Sequence, residues 1–335
     1  MELHQYLQRL LPEQSPSELH ISSITGDASN RRYFRLTDIS NSATTVLCID
    51  PGFRGRDPRS YPFLVVRDLL AENGIRTPEI FRHDSETGAF LLEDCGTDML
   101  QDHVTAFPDD LGPLYDSVID TLVHLQSIRG NSSSVPFSLS FDREKLMFEF
   151  DFFITHALEN NHRATPSAQD LEHLRQQCEQ ITTLLLETDR FVLNHRDFHC
   201  RNILVPEGTP VIIDFQDARM GLPQYDAVSL LRDSYLELPD QRVGELQLRH
   251  WQQLKDRGLQ NTSFDTYLRL FDIMAFQRNV KALGTFFYQV DVLGNRSFAP
   301  YISSTLAYLP GYIERQKELQ PAGNLILNLL DTYVS

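Results

Sequence analysis

His195-Arg196-Asp197-Phe198-His199-Cys200-Arg201-Asn202-Ile203-Leu204-Val205, followed after a short turn by Ile212-Ile213-Asp214-Phe215-Gln216, is the stretch that decides the fold. Leu204-Val205 and Val211-Ile212-Ile213 are short aliphatic, β-branched runs separated by Pro206, Gly208 and Pro210, the pattern of a small hairpin. Asn202 and Asp214 then stand near its two open ends. A carboxylate and an amide oxygen there suit Mg²⁺, a hard cation that takes few protein ligands and completes its shell with phosphate and water. Asp197, on the loop before, is placed to orient an acceptor hydroxyl or take its proton. Taken singly, each piece reads as a turn or a strand-ending cap. The three in register follow the order that metal-assisted phosphoryl transfer requires, and they outweigh that bland reading.

HRDFHCRNILV with IIDFQD resembles the catalytic and metal-binding loops of the aminoglycoside phosphotransferase and choline kinase group, relatives of the protein kinases. The resemblance implies a bilobal α+β fold, with an N-terminal antiparallel sheet lobe and a mainly helical C-terminal lobe. It also implies ATP and Mg²⁺ as cofactors, Asp197 as catalytic base, and Asn202 and Asp214 as metal ligands. Gln216 stands where protein kinases carry the glycine of DFG, which argues against a protein kinase. The runs GDASNRRYFRL (26–36), LLRDSY (230–235) and FQRNVKALGTF (276–286) resemble a narrower branch, the anomeric kinases of N-acetylmuramate and N-acetylglucosamine.

Composition agrees with two lobes. A chain of 335 residues, 41% hydrophobic, exceeds what one core usually supports; we divide it into a nucleotide-binding lobe, 1–96, and a catalytic and acceptor-binding lobe, 97–335. A net charge of −16 speaks against nucleic acid or an anionic membrane as partner. It also requires that positive charge for ATP be supplied locally. Cys48, Cys95, Cys178 and Cys200 form no CxxC or metal spacing, and with no signal peptide they read as reduced cytoplasmic thiols. No apolar run approaches the ~20 residues that span a bilayer.

In the N-terminal lobe the pattern predicts a helix over 2–11, strands over 19–24, 31–37, 44–50, 80–83 and 89–94, and a helix over 61–73 closed by Gly74. The turn 25–30 holds one glycine; it reads as a phosphate-covering loop or a plain hairpin. The third strand lacks the lysine that kinases place there for phosphate. The chain's four lysines, Lys145, Lys255, Lys281 and Lys317, all lie later. Arg31 and Arg32 are the nearest replacements, since guanidinium suits bidentate phosphate contact; either can serve. Asp50 reads equally as an arginine's partner or a solvent-facing turn acid. Asp68 and Glu72, the acids of the lobe's helix, read as solvated. The resemblance places the purine against the backbone of Glu93 and Cys95, at a hinge.

The C-terminal lobe reads as helices over 108–129, 142–159, 171–186, from Asp226 onward, and 264–290. Glu149 reads as an exposed helix glutamate or, by the resemblance, as a ligand of sugar hydroxyls. Asp226 suits an N-cap; by the resemblance it also anchors the catalytic loop. His195 reads as structural, while His199 either approaches the phosphoryl group or braces the loop. Arg278 and Lys281, near neighbours on one helix, read as a pocket wall for the lactyl carboxylate of N-acetylmuramate or as structural ion pairs. The resulting expectation is an ATP- and Mg²⁺-dependent kinase of a sugar hydroxyl. The rivals are a kinase of an aminoglycoside or amino alcohol, and a nucleotide-binding pseudokinase prompted by the missing lysine.

Overall fold

The computed structural model describes residues 3–24, 30–188 and 190–333. The glycine turn read as the phosphate-covering loop lies, but for Asn30, outside the described residues. The chain divides into two compact units, 1–100 with 203–216, and 101–202 with 217–335.

The first unit is built on α1 (Leu3–Leu10), β1 (Leu19–Ile24), β2 (Arg32–Asp38), β3 (Thr44–Ile49), α2 (Pro62–Glu72), β4 (Ile80–Asp84) and β5 (Ala89–Glu93). The strands form one antiparallel sheet in the order β1-β2-β3-β5-β4. Strand alternation assigns the faces. Leu36, Leu47, Ile49 and Leu91 bury Tyr6, Leu7 and Leu10 of α1, with Phe34 packed alongside. That gathering of side chains is why so short a helix holds, since isolated helices of this length are marginal. Elsewhere in this unit α2 sets Phe63 5.1 Å from Phe90, ring to ring.

The hairpin predicted after the HRD run is present as β7 (Ile203–Leu204) and β8 (Val211–Ile212), with Ile203 opposite Ile212. It joins the first unit because its apolar sides have a core to enter. Leu204 and Val211 pack with Cys95, Met99 and Ile213. Its edges are tied by Val205 N–H to the Asp98 carbonyl and Ile212 N–H to the Arg76 carbonyl, each at 2.9 Å.

The second unit follows α3 (Leu100–Ala106), at whose start the division falls. It comprises α4 (Leu111–Ser127), α5 (Arg143–Phe153), α6 (Ala168–Leu185), α7 (Gln224–Leu231), α8 (Asp240–Asp256), α9 (Phe264–Phe287), α10 (Pro300–Leu306), α11 (Leu309–Arg315) and α12 (Gln320–Leu329). A small antiparallel pair, β6 (Val192–Asn194) and β9 (Arg219–Gly221), places Asn194 opposite Arg219. The stripe Ile273, Phe276, Val280, Leu283 and Phe287 of α9 is buried, as its spacing requires. Gly284 lets α5 approach closely, for a Cβ there would stand 2.7 Å from Phe153 Cα. Two helix ends depart from expectation. α5 stops at Phe153 and passes into a π turn over Ile154–Glu159, and α9 stops at Phe287 before another over Tyr288–Val292. No helix among the described residues is long and apolar enough to cross a membrane.

Candidate active site

In the second unit, β6 delivers the chain into the HRD loop. The buried carboxylate of Asp226 accepts the His195 N–H at 2.5 Å and the Arg196 N–H at 3.0 Å. Asp226 is therefore an anchor and not the N-cap of its helix, which starts two residues earlier at Gln224 after Pro223. Burial pushes its carboxyl up to about 7, while the two backbone donors and Arg278 oppose that rise. Arg196 adopts a φ of 87°, a left-handed conformation rare outside glycine and costly unless its surroundings impose it. The two hydrogen bonds that His195 N–H and Arg196 N–H donate to Asp226 hold the backbone at this point. The far end of the loop is held by Asp233, whose carboxylate accepts the Cys200 N–H and the Tyr235 N–H, each at 2.9 Å.

Between these anchors stands Asp197. Its Oδ1 lies 3.0 Å from Lys281 Nζ and 3.4 Å from Arg278 Nη2. Burial works to raise the Asp197 carboxyl, but Lys281, Arg278 and Arg196 prevail and hold it well below the usual carboxylate range. Arg278 is itself buried and donates its Nε–H to Ser229 Oγ. The pair read as a wall for a substrate carboxylate is thus engaged by Asp197, which lies 81 and 84 residues from them in the chain but which the fold brings to them. Asn202 donates its side-chain amide to the Asp197 carbonyl at 2.9 Å, an arrangement that leaves its oxygen as the end suited to a cation. The His199 N–H reaches the same carbonyl at 3.0 Å, and its ring meets Tyr235 edge-on. Burial lowers the imidazole, against the pull of Asp233 and Asp197, and its Nε2 lies 3.4 Å from Asn202 Nδ2.

Glu149 is not the exposed helix glutamate that base rates favour. It is 3% exposed, and its Oε2 accepts from Gln277 Nε2 at 3.0 Å. The close approach of α5 and α9 at Gly284 brings these two side chains together.

In the first unit a chain of polar contacts runs from the sheet to Asp214. Arg31 Nε donates to Asp50 Oδ2 at 2.7 Å, and Tyr61 Oη donates to the same oxygen at 2.6 Å. Arg31 Nη1 reaches Gln216 Oε1 at 3.0 Å, and Gln216 Nε2 reaches Asp214 Oδ1 at 3.0 Å. Phe63 stacks on Phe215 at 5.2 Å with the Arg31 guanidinium above it at 5.0 Å. Asp214 is exposed and adopts a φ of 62°. Asp50 is thus an arginine's partner, buried rather than solvent-facing. Asp68 and Glu72 of α2 are exposed. Arg32 is exposed on the opposite side of its strand. At the hinge, Glu93 pairs with Arg76 and accepts the Glu79 N–H, and the Cys95 side chain is buried. Arg35 forks onto Asp94 at 2.5 and 2.9 Å and reaches the Gly96 carbonyl.

Sequence reasoning missed Asp233, Arg35 and the linking part of Gln216. Each lies inside a quoted motif, but no spacing rule pairs Asp233 with Cys200 or Arg35 with Asp94. Only the fold does.

The family model described as "Phosphotransferase enzyme family" matches residues 20–260. The chain is 31% identical, over 98% of its length and 96% of the relative's, to the N-acetylmuramate/N-acetylglucosamine kinase of Neisseria meningitidis. It is 30% identical to the kinase of the same name from Pseudomonas aeruginosa, over 95% of this chain and 90% of that one. Among solved structures, choline kinase from Cryptosporidium parvum superposes with a TM-score of 0.64 at 12% identity, covering 99% of both chains. An aminoglycoside phosphotransferase bound to GDP and kanamycin gives 0.60 at 17%, covering 94% of this chain and 100% of that one.

Proposed function

The chain belongs to the phosphotransferase enzyme family, and on that premise we propose that it transfers the γ-phosphate of ATP to the anomeric hydroxyl of N-acetylmuramate or N-acetylglucosamine. One observation carries the choice of acceptor: the side chains facing Asp197 are cations, namely Lys281, Arg278 and, in the same loop, Arg196. An aminoglycoside or amino alcohol brings its own positive charge and would be repelled there. A neutral or acidic sugar would not. The relatives' names point the same way.

Asp197 accepts a hydrogen bond from the sugar hydroxyl and aims its oxygen at the γ-phosphorus. As that O–P bond forms, the bond from phosphorus to the bridging oxygen breaks, ADP leaves, and the hydroxyl proton passes to Asp197. A carboxylate held so far on its ionised side is a weak base, so orientation comes first and proton transfer late. An anomeric hydroxyl, more acidic than an ordinary alcohol, suits such a base. Asn202 and Asp214 are the metal ligands of this reading; one amide oxygen and one carboxylate are the kind of small donor set Mg²⁺ takes from a protein. Held there, Mg²⁺ would supply positive charge to offset that of the phosphate oxygens.

The lobe of residues 1–96, joined by the 203–216 hairpin, takes the nucleotide, with the purine on the backbone of Glu93 and Cys95. Arg31 replaces the strand lysine, and Asp50 replaces the helix glutamate that would pair with it. Arg32 is the exposed cation available to phosphate. This accounts for the missing lysine without a pseudokinase. The enzyme acts in the cytoplasm, where its four buried, unpaired thiols stay reduced. The test is Mg-ATP with a panel of free sugars, aminoglycosides and amino alcohols, reading ADP release and the NMR position of the new phosphate. Phosphate at C1 of either N-acetylated sugar supports the proposal; turnover confined to the cationic acceptors overturns it.

A further inference from the structure

Beside Asp197 the second unit carries a group of charges that the reaction above leaves unused. Asn194 pairs with Arg219 across β6 and β9, which sets Arg196 and Arg219 near one another at the mouth of the catalytic loop. The Phe141 N–H bonds the Met220 carbonyl at 2.9 Å and the Met220 N–H bonds the Leu139 carbonyl at 2.8 Å. The same strand thereby holds the segment that opens α5, whose first turn contains Lys145. The charges these elements assemble are poorly matched. Arg196 has Asp217 at 3.1 Å. Arg219 donates to the main-chain carbonyl of Asp217 at 3.2 Å and lies 5.4 Å from the Phe141 ring; among the described residues no carboxylate forms an ion pair with it. Lys145 has Glu149 Oε1 at 3.8 Å, beyond hydrogen-bond reach. Glu149 Oε1 itself, on a side chain 3% exposed, has no hydrogen-bond partner among the described residues.

Buried polar atoms are almost always satisfied, and an exception calls for an explanation such as a water, an ion or a ligand. A carboxylate oxygen needs a donor. Half-buried cations without full partners need an anion, and in a protein of net charge −16 such a local surplus is not an average property of the surface. Burial lowers both the Lys145 ammonium and the Arg219 guanidinium, and repulsion from Arg196 lowers each further. An arriving anion would relieve both.

We propose that Lys145 and Arg219 form a carboxylate-binding subsite for the acceptor, and that Glu149 Oε1 beside them receives a sugar hydroxyl or amide N–H. The subsite takes an acidic amino sugar, so the enzyme prefers the lactyl-bearing acceptor over the neutral one. It also relieves Arg278 and Lys281 of that task, for Asp197 already holds them. This inference rests on the sugar-kinase reading above.

The experiment measures kcat/KM for N-acetylmuramate and for its neutral lactyl carboxamide, with the wild-type enzyme and with Lys145→Met and Arg219→Gln. Wild type is expected to favour the acid over the carboxamide by about tenfold or more, since a cationic site that loses its anion is left desolvated and unpaired. Each substitution is expected to move that ratio toward one. Equal use of acid and carboxamide by wild type overturns the subsite, and that comparison stands even if a variant fails to fold. Variants that slow both compounds equally also overturn it, because they would show that the cations brace the fold. If the sugar reading itself is wrong, wild type turns over neither compound nor N-acetylglucosamine. Turnover of N-acetylglucosamine with no preference for the acid instead removes the subsite alone.

Discussion

Lys281 Nζ lies 3.0 Å from Asp197 Oδ1, and Arg278 approaches the same oxygen at 3.4 Å. Both cations approach Oδ1, so on the proposed reading the acceptor hydroxyl falls to Oδ2. They also fix the rotamer that presents it, as a positioned base requires. On the proposed reading Asp197 serves both the substrate and its own wall, so a substitution there is expected to disturb both.

Asp197→Asn keeps the shape and an oxygen for Lys281 but removes the negative charge. Turnover should fall by about 10²–10⁴ with nucleotide binding nearly intact, as read by single-turnover kinetics beside calorimetric titration with Mg-ATP. Asp197→Ala strands two cations as well, so its midpoint of thermal unfolding should drop further than that of the asparagine variant. Near-native rates in either variant would show that another group meets the hydroxyl.

Arg31→Ala should remove a buried ion pair and unfasten Gln216, and through it Asp214. Breaking such a pair costs about 3–5 kcal/mol, visible as a lower denaturant midpoint together with weaker Mg-nucleotide binding. Arg32→Ala, at an exposed position, should change stability by no more than about 0.5 kcal/mol and raise KM for ATP several-fold. Equal effects of the two substitutions on stability would contradict the division of labour between them.

Asp226 gives a pH signature. Its folded-state pKa is pushed up to about 7, above the 3.8 of an aspartate in an unfolded chain. Between those values the folded protein binds the extra proton, so this residue's contribution to stability is complete below about pH 4 and is lost as pH rises through 7. Asp226→Asn should flatten that part of the thermal-unfolding profile. It should also slow turnover, because a neutral amide has one oxygen where the carboxylate receives two backbone N–H groups. A variant whose profile keeps the wild-type slope would place the proton elsewhere.

Gly284→Ala puts a Cβ 2.7 Å from Phe153 Cα and 2.9 Å from its N. Backbone cannot rotate away, so α5 and α9 must separate at a cost of about 1–3 kcal/mol. Separation loosens Gln277 from Glu149 and shifts Lys281 against Asp197, and kcat/KM should fall with stability. Unfolding midpoints and steady-state rates measured on one preparation test both effects.

The HRD loop, the hairpin behind it and the sheet of the first unit were legible because each is local. Alternating apolar residues, proline and glycine punctuation and fixed acid-to-amide spacing all act within a few residues of chain. The extra strand pair β6–β9 was not legible, since three-residue strands carry too little pattern. Glu149 was misjudged for a related reason: a charged residue on a helix is usually solvated, and nothing in its neighbourhood announces that Gly284 admits a second helix against it.

By itself, then, the sequence nominated the groups proposed to do the chemistry: Asp197, Asn202 and Asp214, named by spacing, and an arginine in place of the absent lysine. Only the tertiary structure decided that Arg31, and not the exposed Arg32, pairs with Asp50. It also decided that Asp226 and Asp233 hold the catalytic loop, and that Arg278 and Lys281 face Asp197. The physical reason is range. Backbone periodicity and turn chemistry are written in consecutive residues, whereas the partner of a buried charge is set by whichever desolvated group the packing brings within about 4 Å, however distant it is along the chain.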